Sequence, residues 1–252
     1  MLTVCWGIDV SKASIKAVRL QKVGDTHVIT KVDVVPLKFG EGVDFEHEME
    51  SGLEQLKVSN KIGSEPVFVS LFSHSVFNRI VKLPAVDPNQ LEEIVRLELK
   101  NIIPFDPSQI IWGFHVVENP NLGPVDEHEI IIFAVKREII DMFMQKLIQL
   151  KFRLEGIQFA PVALYNFLIY DQEVPASCMV LDMGADNTSF LVIDRGRLWV
   201  RNFPITGNTL TNEIAAAMKV TFSKAEHIKV NAMSNNPERV YSILQPKYRE
   251  IT

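Results

Sequence analysis

The sequence lacks the features that mark membrane-spanning, secreted and metal-binding proteins. No apolar run approaches the roughly 20 residues that a helix needs to cross a bilayer, and the N-terminus has neither a basic flank nor a small-residue cleavage site. The two cysteines, Cys5 and Cys178, form no CxxC motif, and the six histidines are scattered, which argues against a structural metal site. These absences predict a cytoplasmic protein with reduced thiols.

The sequence also lacks a basic block. Its net charge is −5 over 252 residues, which argues against nucleic acid or an anionic membrane surface as the main partner. Without an apolar run of spanning length, no direct membrane insertion is expected either. Hydrophobic residues make up 47% of the chain and charged residues 23%, a composition typical of globular proteins. The length is that of one large domain or two ordinary ones.

Residues 1–74 and 137–175 together have the element order of one ribonuclease-H-like lobe: three meander strands, helix, strand, helix, strand and helix. These elements are predicted at residues 2–9, 14–22, 26–36, 44–57, 66–72, 137–150, 154–160 and 161–170. The order predicts an α/β lobe interrupted by residues 75–136.

Residues 75–136 form a self-contained block of strand, helix, strand and strand. Its helix, residues 87–103, begins with Asp87 as N-cap and Pro88 at the first helical position, which is a typical start signal. We therefore predict an inserted strand-helix-strand-strand subdomain.

Residues 176–252 begin the lobe pattern a second time. Placing Asp9 on Asp182 also places Cys5 on Cys178, and the repeated strand-turn-strand pattern indicates an internal duplication. Helices follow, one of them with Ser223 as a plausible N-cap, and no further strands are predicted. This segment is thus an incomplete second lobe with a helical subdomain.

Asp9 and Asp182 each end a strand just before a tight turn. The backbone N–H groups of such a turn can converge on phosphate oxygens, and the carboxylate can hold a magnesium ion through water. Acids also occupy turns for purely local hydrogen bonding, so the pattern alone leaves both interpretations open.

The chain resembles the PilM family of actin-like proteins of type IV pilus assembly, which are relatives of the division protein FtsA. The resemblance rests on matching segments in the same order, from "GIDVSKASIKAVRL" and "VFNRIVKLP" through "LEEIVRLELKNIIPFDPSQIIWGFHVV" and "PVALYNFL" to "VLDMGADNTSFLVIDRGRLWVRNFPITGNTLTNEIA" and "SKAEHIK". It implies a duplicated, actin-like α/β fold that binds ATP between two lobes.

The resemblance also implies a set of nucleotide-binding residues. These are Asp9, Ser11 and Lys12 in the first phosphate turn, Asp182, Gly184, Ala185, Asp186 and Thr188 in the second, Gly207 near the nucleotide, and Glu226 and Lys229, which match a Glu-x-x-Lys pair that contacts ribose and base. Magnesium would be held through water by Asp9 and Asp182. The alternative for the Glu-x-x-Lys pair is an ordinary ion pair on a helix surface.

Three departures from the family pattern bear on nucleotide binding. Ser11 stands where the family usually has glycine, and Asn208 follows Gly207 where a second glycine is usual; glycine permits positive φ at such positions. The chain also ends before the final strands and the adenosine loop of the family. The sequence leaves open whether it is a fragment or has lost that part.

The function that the resemblance implies is a cytoplasmic scaffold, peripheral at the inner membrane through its partners. It would bind the cytoplasmic tail of a PilN-type membrane protein in a groove between the first lobe and the inserted subdomain, and couple it indirectly to the motor ATPase. ATP would be a conformational ligand, hydrolysed weakly or not at all. Phe105 and Trp112 either pack inside the subdomain or line a partner surface.

Other functions remain open from the sequence. An actin-fold phosphotransferase would need a catalytic base, and no acid in a recognisable sugar-binding motif is found. A division scaffold like FtsA would carry a C-terminal amphipathic helix, for which "YSILQPKYREIT" is too short and interrupted. A type II secretion scaffold and self-association are further possibilities.

Overall fold

The structure, a computed structural model, describes residues 3–38, 43–71, 76–84, 86–116, 127–170, 175, 177–194 and 197–250. The chain divides into two compact units, of which unit 1 comprises residues 1–180 and 191–200 and unit 2 comprises residues 181–190 and 201–252. These boundaries differ from the predicted segments 1–74 with 137–175, 75–136 and 176–252. The division into three segments therefore stays a prediction.

The secondary structure follows the predicted order of elements. The strands are β1 (Val4–Val10), β2 (Ser14–Val23), β3 (Thr26–Pro36), β4 (Pro66–Leu71), β5 (Val76–Pro84), β6 (Ile110–Val116), β7 (Glu127–Lys136), β8 (Arg153–Phe159), β9 (Ser177–Met183), β10 (Thr188–Asp194) and β11 (Arg197–Phe203). The helices are α1 (Phe45–Asn60), α2 (Pro88–Ile102), α3 (Arg137–Gln149), α4 (Ala160–Tyr170), α5 (Gly207–Met218), α6 (Phe222–Val230), α7 (Ala232–Asn235) and α8 (Pro237–Tyr248). The predicted strand ends at residues 2, 72, 75 and 117 lie outside the described residues.

A five-stranded sheet in the order β3-β2-β1-β4-β8 organises the first part of unit 1. The meander β1–β3 is antiparallel, whereas β4 and β8 run parallel to β1. Because side chains alternate across a strand, Trp6, Ile8 and Val10 all face one side, where they are buried with Leu53 of α1 and Phe143 of α3. The helices thus cover the sheet and fix the carboxyl end of β1.

Residues 76–136 contribute a separate three-stranded antiparallel sheet in the order β5-β7-β6. Helix α2 packs on it through Leu91, Val95 and Leu99, which are buried against Ile130 and Ile132 of β7. The helix begins as predicted, since Asp87 accepts a hydrogen bond from the Asn89 N–H at 2.9 Å. In the described residues, this sheet shares no strand with the five-stranded sheet.

A third sheet has the order β11-β10-β9. The helices of unit 2 form a core in which Ile214, Ala225 and Leu244 are buried.

The prediction of Ser223 as the N-cap of α6 is wrong: Thr221 caps the helix by accepting from the Lys224 N–H, and Ser223 lies inside the first turn. Both positions carry a hydroxyl group, and the path of the chain into the helix decides which one reaches a free N–H.

Among the helices in the described residues, none is both long enough and apolar enough to cross a membrane.

Lys61 ends α1 in a left-handed backbone conformation, with φ 53°. Glycine adopts this conformation without steric cost, so Lys61→Gly is expected to raise the free energy of unfolding by about 0.5–1 kcal/mol. Lys100→Gly, an equal change in the last turn of α2, should lower it by about 0.5–1 kcal/mol because glycine weakens a helix. Urea denaturation measures both; a loss of stability in both variants would contradict the prediction.

Candidate functional site

Asp9 lies near the carboxyl end of β1, as the sequence predicts. Its register partner on β4 is Ser70, whose hydroxyl donates to Asp9 Oδ1. The Lys16 ammonium lies 3.7 Å from Asp9 Oδ2. The carboxylate is therefore oriented by two neighbouring strands, while its side chain stays 43% exposed to a ligand or to water.

Ser11 closes the turn after β1 with its own polar groups. Its N–H donates to Ser14 O at 3.0 Å, its hydroxyl donates to the same oxygen at 2.8 Å, and Ser14 N–H donates back to Ser11 Oγ at 3.2 Å. Ser11 does not have a positive φ, so serine causes no backbone strain here. Lys12 follows in the same turn.

In unit 2, Asp182 lies exposed near the end of β9, and a tight turn follows it. The turn is closed by a hydrogen bond from Gly184 N–H to Asn187 O at 2.8 Å. A Cβ at Gly184 would lie 2.9 Å from the same carbonyl oxygen. Glycine is thus required by the close approach of two backbone segments.

The N-terminus of α5 packs directly on this turn. The N–H groups of Gly207 and Asn208 donate to the carbonyl oxygens of Gly184 and Ala185, at 2.9 and 2.8 Å. A Cβ at Gly207 would lie 3.3 Å from Gly184 O. Neither Gly207 nor Asn208 has a positive φ, so the tolerance of asparagine for left-handed backbone does not matter here.

Glu226 and Lys229 are more than a pair on the surface of α6. Lys229 Nζ lies 2.7 Å from Glu226 Oε2, and it also donates to Gly207 O at 2.9 Å and to Thr211 Oγ1 at 2.7 Å. The Lys229 side chain is only 21% exposed. The pair therefore links α6 to the first turn of α5 and, through Gly207, to the turn at Gly184.

Thr211 belongs to this network, and the sequence reasoning did not find it. It is fully buried and also lies within hydrogen-bonding distance of Glu226 Oε2 and Gly207 O. The signal that could have found it is its position four residues after Gly207, which places both on one face of α5.

The other predicted residues of this turn differ in exposure. Thr188 is fully buried, and its hydroxyl donates to Ile205 O at 2.6 Å, which ties β10 to the segment before α5. Asp186 lies in the turn and is partly buried. The structure thus connects Gly184, Ala185, Gly207, Glu226 and Lys229 in unit 2, while Asp9, Ser11 and Lys12 belong to unit 1.

The residues of unit 2 fit a nucleotide in their chemistry. The surface at Gly207 carries no side chain, and the position that a Cβ would fill lies 3.6 Å from Lys229 Nζ. A positive charge therefore lies next to an open backbone surface. No group of three or more His, Cys, Asp or Glu side chains within the described ranges could hold a metal ion. A magnesium ion at Asp9 or Asp182 would therefore depend mainly on water and phosphate ligands.

A second feature of unit 1 is a cavity of about 390 Å³ where β7 continues into α3. It is lined by Ser108, Gln109, Lys136, Arg137, Glu138 and Asp141. Asp106 positions Ser108 by accepting from its N–H and its hydroxyl, at 2.9 and 2.8 Å; these hydrogen bonds lower the pKa of Asp106. Lys136, the N-cap of α3, makes no side-chain capping bond. The cavity thus lies between the residues just before β6 and the start of α3.

The two aromatic residues of the inserted segment differ in their surroundings. Trp112 packs against the core under α2 and stacks on Phe114, with ring centroids 6.4 Å apart. Phe105 is 38% exposed, and Lys136 Nζ lies 6.0 Å from its ring centroid. Of the two, Phe105 is the one that borders the cavity residues.

Solved structures that are similar to this chain identify its fold class. The chain matches a chain of the "PilM-PilN type IV pilus biogenesis complex" at 21% identity and a TM-score of 0.82, over 98% of this chain and 74% of that chain. It also matches the ethanolamine utilization protein EutJ from Carboxydothermus hydrogenoformans at 15% identity and a TM-score of 0.56, over 98% of this chain and 68% of that chain. The predicted actin-like α/β fold is confirmed.

The cytoplasmic domain of EpsL, an inner membrane component of the type II secretion system of Vibrio cholerae, is similar at 12% identity and a TM-score of 0.52, over 86% of this chain and 77% of that chain. Curated protein sequences give no match. The family model described as "Type IV pilus assembly protein PilM" matches residues 7–252. The chain therefore belongs to the PilM family of type IV pilus assembly proteins, as the resemblance predicts.

Proposed function

We propose that this actin-like pilus assembly protein is a scaffold that binds the cytoplasmic tail of a PilN-type inner-membrane protein at the cavity between β7 and α3. The family to which the chain belongs is described as a type IV pilus assembly family. The solved structure that the chain matches at a TM-score of 0.82 is named as a complex with PilN. Binding to the tail would keep the scaffold in the cytoplasm at the inner membrane. Coupling to a motor ATPase and self-association stay predictions.

The observation that carries this proposal is the polar cavity at the start of α3. The first N–H groups of a helix have no intrahelical partner, and here no side chain of the N-cap residue satisfies them. The carbonyl oxygens of an extended peptide are suitable acceptors for such groups and for the side chains of Lys136 and Arg137. The half-exposed ring of Phe105 next to Lys136 offers an apolar contact.

The test is the affinity of a fluorescent peptide of a PilN-type tail, measured by anisotropy. Lys136→Glu with Arg137→Glu is expected to weaken binding at least about tenfold, since a loss of about 1.4 kcal/mol corresponds to that factor. The matched control is Arg79→Glu with Lys82→Glu, an equal charge change on exposed positions of β5. Equal affinities of the two folded double variants would contradict the proposal, and no binding to the native chain would contradict the scaffold function itself.

We also propose ATP with magnesium as a conformational ligand. Gly184, Ala185, Asp186, Gly207, Glu226 and Lys229 of unit 2 would hold it, with Asp182 facing magnesium through water. The contribution of Asp9, Ser11 and Lys12 of unit 1, with Asp9 as a second magnesium residue, stays a prediction. A bound nucleotide supplies negative phosphate charge, which the positive charges of Lys12 and Lys229 beside these turns can balance. The position of Thr188 supports a role in holding the turn, since its hydroxyl is bonded to Ile205 O.

A further inference from the structure

Thr211 lies at the point where the polar groups of α5 and α6 converge. Lys229 has three N–H donors, and the structure gives it three acceptors: Gly207 O, Thr211 Oγ1 and Glu226 Oε2, at 2.9, 2.7 and 2.7 Å. One of these acceptors is a fully buried hydroxyl. The ammonium is therefore held by α5 as well as by its neighbour on α6.

The Thr211 hydroxyl has one proton and two acceptors within reach. Gly207 O lies 2.9 Å and Glu226 Oε2 lies 2.5 Å from Thr211 Oγ1. A single proton forms a good hydrogen bond with one of them at a time. A ligand hydroxyl that donates to the Glu226 carboxylate would therefore favour rotation of the Thr211 proton toward Gly207 O.

Gly207 O connects the direction of the Thr211 proton to the Gly184–Asn187 turn. The peptide group that carries Gly207 O also carries the Asn208 N–H, which donates to Ala185 O at 2.8 Å. Hydrogen bonds in a chain polarise one another, so a stronger bond to the carbonyl strengthens the bond that the N–H of the same peptide makes. Thr211 thus connects Glu226 to Gly207 O, beside the connection that Lys229 makes between the same two groups.

We propose that Thr211 is a positioning residue that orients Glu226 and Lys229 for the hydroxyl groups of a bound nucleotide and couples them to the Gly184–Asn187 turn. This inference rests on the proposed nucleotide role of unit 2. It adds a residue that contacts no ligand itself and acts through the Glu226–Lys229 pair and through Gly207.

The test compares the affinities of ATP and 2′-deoxyATP by calorimetry with magnesium present. Thr211→Val keeps the shape of the side chain and removes its hydroxyl. It is expected to weaken ATP binding about tenfold and to bring the affinity ratio of ATP to 2′-deoxyATP close to 1, whereas Thr211→Ser should keep both within about threefold of the native values.

Thr209→Val separates this role from a loss of helix stability. It removes the half of the capping box in which Thr206 N–H donates to Thr209 Oγ1 and leaves the Thr211 network in place. It should lower stability without changing the affinity ratio. A native ratio in Thr211→Val would overturn the inference while leaving the nucleotide role intact. No nucleotide binding by the native chain would instead end both, whatever the peptide measurement gives.

Discussion

Replacing Phe143 with alanine is expected to lower the free energy of unfolding of unit 1 by about 4 kcal/mol, which is the cost of a large cavity in a packed core. Phe143 is fully buried in α3 and belongs to the cluster that covers the five-stranded sheet. Because Trp6, Trp112 and Trp199 all lie in unit 1, tryptophan fluorescence during urea unfolding reports on this unit.

Phe167→Ala is the matched control for this prediction. It removes the same atoms from α4, but Phe167 is 59% exposed. Its loss should therefore cost less than about 1 kcal/mol, since little apolar surface is withdrawn from water at this position. Similar losses in the two variants would mean that α3 is not packed on the sheet as the structure has it.

Replacing Glu65 with glutamine is expected to cost about 2 kcal/mol at pH 7, the size of hydrogen bonds to a charged group. The Glu65 carboxylate accepts from Arg19 Nη2 at 2.6 Å and from Trp6 Nε1 at 2.6 Å, and it thereby connects β1 with β2. Glutamine keeps the size of the side chain, but only its amide oxygen can accept a hydrogen bond. The NH2 group that replaces the second carboxylate oxygen is a donor. Urea denaturation measures the loss.

The pH dependence of this effect has a definite sign. The hydrogen bond from Arg19, followed by that from Trp6, lowers the pKa of Glu65 from its ordinary value of 4.5, against the opposing effect of burial. The stabilisation is then fully present above pH 4.5 and is lost as the pH falls through the lower pKa of the folded state. The difference in stability between the native chain and Glu65→Gln should therefore shrink below pH 4.5.

Glu92→Gln is the control for the charge change. Glu92 pairs with Arg96 one turn away on α2, and its side chain is 64% exposed, so its replacement should cost no more than about 0.5 kcal/mol. A stability difference between the native chain and Glu65→Gln that stays constant from pH 7 to pH 3 would show that the ion pair is not what stabilises β1.

The candidate site could be predicted from the sequence only in part. The turns after Asp9 and Asp182 are local features, because a strand, an acid and small residues follow one another in the chain, and the structure has a turn at both places. The role of glycine was less predictable. Conformational freedom was the expected reason for the family's glycines at positions 11 and 208, but neither Ser11 nor Asn208 has a positive φ. Gly207 is instead in close contact with Gly184 O, a backbone atom 23 residues earlier in the chain.

The sequence by itself determined the order of strands and helices and the Asp87 cap, because periodicity, caps and breakers act over a few neighbouring residues. The tertiary structure alone decided that Thr211 meets Lys229, that Gly207 packs on Gly184, and that Ser108 and Arg137 line one cavity. These contacts join residues 18 or more positions apart, and the packing of whole elements sets their distances. No pattern within a single element encodes them.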